Sequence, residues 1–229
     1  MRFSGTGKVR KLGLLLSLLL VLTASILAQT IVDKSVAPVS DGVRTELITY
    51  SDLLWQLALQ PGTSVEQPTS EDLNRALQLQ INQRLFALEA ERLPREAPTQ
   101  AEIDREIADL LAFFPSTAEF ERRLRTVGFT SVKDENFVSI IRQRLSIDKY
   151  LTFRFRSFTV ITPEDQTKYY SDIYVPEFRR KYPGVVVPSL AEKQSEITSI
   201  LTEQRVAAEI EAFLDEAKRR AEIVILSDV

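Results

Sequence analysis

The chain has no cysteine and no histidine among its 229 residues, and its single methionine is Met1. Each absence removes a class of chemistry. Without cysteine there is no disulfide framework and no thiolate, so the fold must rest on its core. Without histidine, Ser–His–Asp and Cys–His arrangements and imidazole acid–base catalysis are unavailable. Zinc sites built on His or Cys go with them, and no metal or cofactor is expected. Glycine is also sparse. Beyond residue 28 only Gly42, Gly62, Gly128 and Gly184 remain, each isolated, so no glycine-rich phosphate loop is available and no nucleotide is expected. Adaptable binding surfaces often use methionine, and none follows Met1.

What is present is an ordinary globular balance, 44% apolar and 27% charged. The N-terminus stands apart. Arg2, Lys8, Arg10 and Lys11 form a basic stretch without an acid, and an apolar run from Leu12 to Leu22 leads to the small residues Thr23, Ala24, Ser25 and Ala28. This pattern predicts a secretory signal over residues 1–28, cleaved after Ala28 or after Ser25. The competing reading is an uncleaved inner-membrane anchor reaching Leu27. Four bases and no acid lie in residues 1–28, so the remainder carries 25 Lys and Arg against 32 Asp and Glu, a net charge of −7. An acidic chain without a basic face is a poor nucleic-acid binder. The acids Glu102, Asp104, Glu106 and Asp109 fall at helical spacing among bases, as on a solvated helix face.

Along the chain, Ile31–Val39 and Val43–Thr49 flank Asp41-Gly42 and predict a β-hairpin. Pro38 argues for an edge position of the first strand. Ser51 is the expected cap of a short helix that carries Leu53, Trp55 and Leu57 and ends at Pro61-Gly62. A long helix capped by Ser70 or Thr69 follows, with Leu73, Leu77, Ile81, Leu85 and Leu88 as its stripe. Leu79, Phe86 and Leu93 widen that stripe, and Pro94 and Pro98 bracket the exit. Thr99 with Glu102, and Ser116 with Glu119, read as capping boxes for two further helices. Gly128 is placed to end the second of these, with Phe129 as its apolar contact. A fifth helix is expected over residues 131–151. Phe153 to Ile161 reads as a strand or extended arm, because Phe153 and Phe155 alternate with Arg154 and Arg156. Thr162-Pro163 opens a helix with Tyr169, Tyr170 and Tyr174. Residues 175–188 read as irregular. Ser189 and Glu192 box in a final long helix, and Ile223–Leu226 is expected to pair with the hairpin.

Several segments in this order carry a resemblance. They are "ITYSDLL" (Ile48–Leu54), "LQLQINQRLFALEAERL" (Leu77–Leu93), "PTQAEIDREIADL" (Pro98–Leu110), "FERRLRTVGFT" (Phe120–Thr130) and "VITPEDQTKYY" (Val160–Tyr170). Their succession resembles the N-terminal, peptide-binding domain of SurA-type periplasmic chaperones, relatives of the trigger factor peptide-binding domain. The resemblance spans about residues 31–170 and again 189–226. It implies a mainly α domain over residues 29–229, with six or seven helices, a small sheet made by the N-terminal hairpin and the C-terminal strand, and a last helix packed back onto the N-terminal half. In that family a parvulin prolyl isomerase domain commonly follows the "TPEDQTKYY"-like helix. Here only 18 residues, 171–188, separate Tyr170 from Ser189, and a domain needs at least about 50. Parvulin sites also use histidine, so isomerase activity is not carried over and no catalytic residue is expected.

The function so implied is that of a periplasmic holdase, which binds unfolded exported or outer-membrane polypeptides without ATP. Candidate client-binding residues are Trp55, Phe113, Phe114, Phe153, Phe155, Tyr169, Tyr170 and Tyr174; for each of them core packing is the favoured reading, and the tyrosines are the better surface candidates. Membrane contact is expected only through an uncleaved N-terminal segment. The rivals are an envelope assembly protein with one fixed partner, a prolyl isomerase relative with degenerate activity, and a homodimer formed through the terminal helix.

Overall fold

The computed structural model describes residues 33–92, 96–227 and 229. The expected signal segment, Ile31, Val32, Leu93 and Pro94 lie outside the described residues. The chain divides into two units, Met1–Asp33 and Lys34–Val229, and every element below belongs to the second.

The hairpin forms from β1 (Ser35–Ser40) and β2 (Thr45–Thr49), antiparallel. Its turn is built by Asp41, whose carboxylate accepts from the backbone N–H of Val43 at 2.9 Å and of Arg44 at 2.7 Å. Gly42 follows at φ +85°, a conformation that costs a residue with a Cβ. β3 (Glu222–Ile223) joins the other side of β1, so the order is β2-β1-β3. The two chain ends therefore close one sheet, as expected, but β1 lies in its centre rather than at its edge. Pro38 is tolerated there because it still accepts. The Val224 N–H donates to its carbonyl at 3.3 Å, and the return bond that a proline cannot give is missing where the β1–β3 pairing stops. Leu226 continues alongside, donating to Val36 at 2.8 Å.

Seven helical rods follow among the described residues. α1 (Tyr50–Ala58) starts two residues earlier than expected. Thr49, not Ser51, is its cap, because Asp52 at the third position returns a hydrogen bond to the Thr49 N–H at 2.8 Å. α2 (Ser70–Ala90) is capped by Thr69, and α3 (Gln100–Leu111) by the Thr99/Glu102 box. α4 (Thr117–Thr126) is capped by Ser116, whose oxygen accepts from the Glu119 N–H. α5 (Glu135–Arg154) runs further than expected. The Phe153–Ile161 strand is not formed: Phe153 and Arg154 are helical, Phe155 caps the helix, and a 3-10 turn covers Arg156–Phe158. The buried positions Ile147, Tyr150 and Phe155 carry on the stripe of α5, and that period prevails over a four-residue Phe/Arg alternation.

Residues 175–188 are likewise not all irregular. α6 (Pro163–Tyr169) passes through a π-turn (Tyr170–Tyr174) into α7 (Val175–Lys181). Pro176 cannot donate to the Asp172 carbonyl, and its ring crowds that group. The backbone accommodates it with a wider turn, in which the Val175 N–H donates five residues back to Tyr170. α8 (Leu190–Arg220) closes the set behind the Ser189/Glu192 box.

Three apolar clusters hold these elements. Val36, Ile48, Leu53, Leu57, Leu77, Ile81 and Ala217 belong to the first, which joins the sheet, α1, α2 and the end of α8. The second gathers Ile103, Phe120, Leu124, Phe129, Phe137 and Ile141 from α3, α4, α5 and the connection between the last two. The third is small: Phe86, Ala87 and Ile147, with Ile210, Phe213 and Leu214 of α8 packed on them. The last turns of α8 therefore do return to the N-terminal half, as expected. No described residue from 152 to 209 belongs to any of the three.

Candidate functional site

That span forms an arm. α6 lies along the first half of α8, and polar groups fasten the pair. The buried Gln166 amide donates to the Thr198 hydroxyl at 3.0 Å and accepts from the Gln194 amide at 3.1 Å. Arg205 donates to the Val160 carbonyl at 2.6 Å and pairs with Asp165, while Arg156 grips Glu203 through two bonds of 2.7 Å. Ile197 is the fully buried apolar residue beneath.

Outside this fastening, the arm carries a row of rings. Tyr170 stacks on Tyr174 at 5.6 Å, Tyr174 on Phe178 at 5.9 Å, and Phe178 lies against Tyr182 at 5.0 Å. The spacing is four residues throughout. In an unbroken α-helix each such step drifts by about 40° round the axis. The wider π-turn holds more residues per turn and drifts the opposite way, so its step offsets one of the others and keeps successive rings within 6 Å of each other. Tyr174, Phe178 and Tyr182 of the row line an open groove of about 560 Å³ shared with α8, where Lys193, Glu196 and Ile200 form the opposite wall. The Lys193 ammonium is held above its ordinary value, first by its 2.8 Å bond to Glu196. Tyr170 also donates its hydroxyl to the Pro188 carbonyl at 2.9 Å, which ties the returning loop to the arm.

A second cleft, of about 710 Å³, opens between α1, α2 and α5. Its apolar lining includes Trp55, Ala87, Ile140 and Ile147, but charge crosses it: Arg84 pairs with Asp52 at 3.2 Å and its Nε has no hydrogen-bond partner. Carboxylates with displaced pKa values are all shifted downward. Glu102, for example, is held at about 2, first by Lys149 and then by the backbone and hydroxyl of Thr99. A general acid working near neutrality needs the opposite displacement. Among the described residues no group of acids is placed to hold a metal ion, and no helix is long and apolar enough to cross a membrane.

The eight aromatic residues singled out in the sequence do not converge. Tyr169 and Tyr174 line the arm groove, and Tyr170 begins its row of rings. Trp55 borders the other cleft, its ring against Phe129 at 5.1 Å and its N–H on the Val127 carbonyl. Phe114 and Phe155 are buried, packed against Phe120 and Phe213 respectively. Phe113 is 72% exposed, and Phe153 rests edge-on against the exposed Phe158. Phe178 and Tyr182 complete the row and were not singled out. Their signal was the spacing of four from Tyr174, hidden by reading residues 175–188 as irregular. No protein-family model matches the chain, and no curated protein matches it.

Proposed function

We propose that the chain is a nucleotide-independent holdase of the exported, SurA-like kind, and that the arm groove receives extended apolar and aromatic segments of unfolded polypeptides. The observation that carries this reading is the row Tyr170–Tyr174–Phe178–Tyr182, kept in register along an open groove rather than buried in a core. Tyrosine suits such a surface, since its ring is apolar and its hydroxyl remains wet. Burying about 200 Å² of client against the rings is worth about 5 kcal/mol before costs. Association consumes 4 kcal/mol or more, so each contact is weak and reversible, and holding a client requires several at once. The resemblance of the helix-start motifs to the SurA-type domain, and the leader-like residues 1–28, support the same reading and a periplasmic location.

The test is light scattering from an unfolded outer-membrane-type polypeptide diluted into buffer, with and without residues 29–229. Suppressed aggregation at near-stoichiometric amounts without nucleotide is the expected result. No suppression at a several-fold excess of folded protein would sink the holdase reading.

A further inference from the structure

The end of the arm is unlike the rest of the molecule. Residues 179–186, Arg-Arg-Lys-Tyr-Pro-Gly-Val-Val, are all exposed, eight in succession. Val186 is 88% exposed and Val185 56%, with Tyr182 beside them. Gly184, at φ +80°, makes the turn that presents the two valines together. Packing offers no reason for this: no apolar cluster reaches the loop, although the Tyr170 hydroxyl bond to Pro188 holds its return strand in place.

Charge departs from the average at the same point. The whole chain has a net charge of −3, yet Arg179, Arg180 and Lys181 stand together with one acid, Glu177, between Val175 and Ser189. Bases in the last turn of a helix complement its dipole, which accounts for one or two of them. The Arg179 and Arg180 side chains, however, make no ion pair or hydrogen bond among the described residues, and Lys181 lies over the Tyr182 ring at 5.4 Å.

We propose that this tip, Arg179–Val186, docks on an anionic lipid surface, with Tyr182, Val185 and Val186 entering the headgroup boundary and the three bases over the lipid charges. A few apolar side chains beside a basic patch are what a fluid interface accepts. A stable protein partner needs about 800 Å² of matched surface on each side, which one exposed turn does not supply. The contact is distinct from any made by residues 1–28. Lys181, Tyr182 and Val185 also line the aromatic groove, whereas Arg179, Arg180 and Val186 do not, so changes at these three separate lipid docking from the holdase reading.

The experiment uses the unit from Lys34 to Val229, which contains every described strand, helix and apolar cluster. Co-sedimentation is measured with phosphatidylglycerol/phosphatidylcholine vesicles and with phosphatidylcholine alone, at low and high salt. The expected result is binding to the anionic vesicles only, weakened by salt, and reduced about tenfold or more by Arg179→Glu with Arg180→Glu. Val186→Asp should reduce it as well, and both variants should protect clients as the parent does. No binding, equal binding to neutral vesicles, or binding unaltered by either variant overturns the proposal. Binding to polyglutamate without binding to anionic vesicles also overturns it and assigns the tip to an acidic protein. Failure of client protection in the parent alone would leave the vesicle result standing.

Discussion

The Arg123 guanidinium donates to the Leu57 carbonyl at 2.9 Å and so closes the C-terminal end of α1 from α4. The same side chain reaches Ala58 at 3.2 Å, Gln60 at 2.9 Å and Thr63 at 2.8 Å. These carbonyls receive no backbone N–H from four residues on, and one planar fork reaches them together, aided at Leu57 by the Gln60 N–H and the Thr63 hydroxyl. Burial lowers the Arg123 pKa, but an arginine remains charged. Arg123→Ala should cost about 2–3 kcal/mol, read as a lower urea midpoint with an unchanged slope. Arg123→Lys should recover less than half, because an ammonium cannot span the set.

Phe213 joins α8 to the body, stacked on Phe86 at 5.8 Å and edge-on to Phe155 at 5.7 Å. Phe213→Ala should destabilise by about 2–4 kcal/mol, toward the low end of the range for core phenylalanines because the ring is only partly buried. In thermal unfolding it should be the most damaging single change on α8, whereas Glu211→Ala on the exposed face should be nearly silent.

Acid should weaken the fold through its caps. Glu102 has a folded pKa of about 2 against an ordinary 4.5, so its contribution is complete above about pH 4.5 and is lost as pH falls toward 2. Asp41, lowered chiefly by the backbone N–H groups of Arg44 and Val43, acts in the same direction. Urea midpoints should therefore fall from pH 5 to 3, with Glu102→Gln showing a shallower fall. A chain without histidine has no side chain whose ordinary pKa lies between about 5 and 8, so the midpoint should be flat there.

Tyr170→Phe removes the hydroxyl that holds the Pro188 carbonyl but keeps the ring on Tyr174. A loss of about 1 kcal/mol is expected, localised as faster amide exchange at residues 184–187. Tyr174→Ser, by contrast, interrupts the row at its second ring and should reduce client protection while leaving the unfolding midpoint nearly unchanged.

Much of the fold was legible because caps are local. Thr99 with Glu102, Thr162 before Pro163 and Ser189 with Glu192 each start a helix where the sequence placed one, since a side chain three residues away supplies the bond. The errors arose where a residue's local preference was outvoted by its surroundings. Pro38 sits in a central strand because its carbonyl is still used. Pro176 sits within a helical rod because a π-turn gives its ring room. Phe155 turns inward because Phe213, 58 positions along the chain, is there to meet it. The site was less legible than the fold. Residue type distinguishes aromatic from polar but not groove from core, so Phe114 and Tyr174 look alike until their neighbours are known.

α8 spans 31 residues without an internal glycine or proline, about 46 Å of uninterrupted helix at 1.5 Å per residue. One end walls the groove and the other is anchored at Phe213 and Ala217. Mechanically it is a cantilever. A pull on the rings cannot swing the arm as if on a hinge. It must bend the rod or prise Phe213 from Phe86, so a load at the groove is transmitted as torque to the body of the protein.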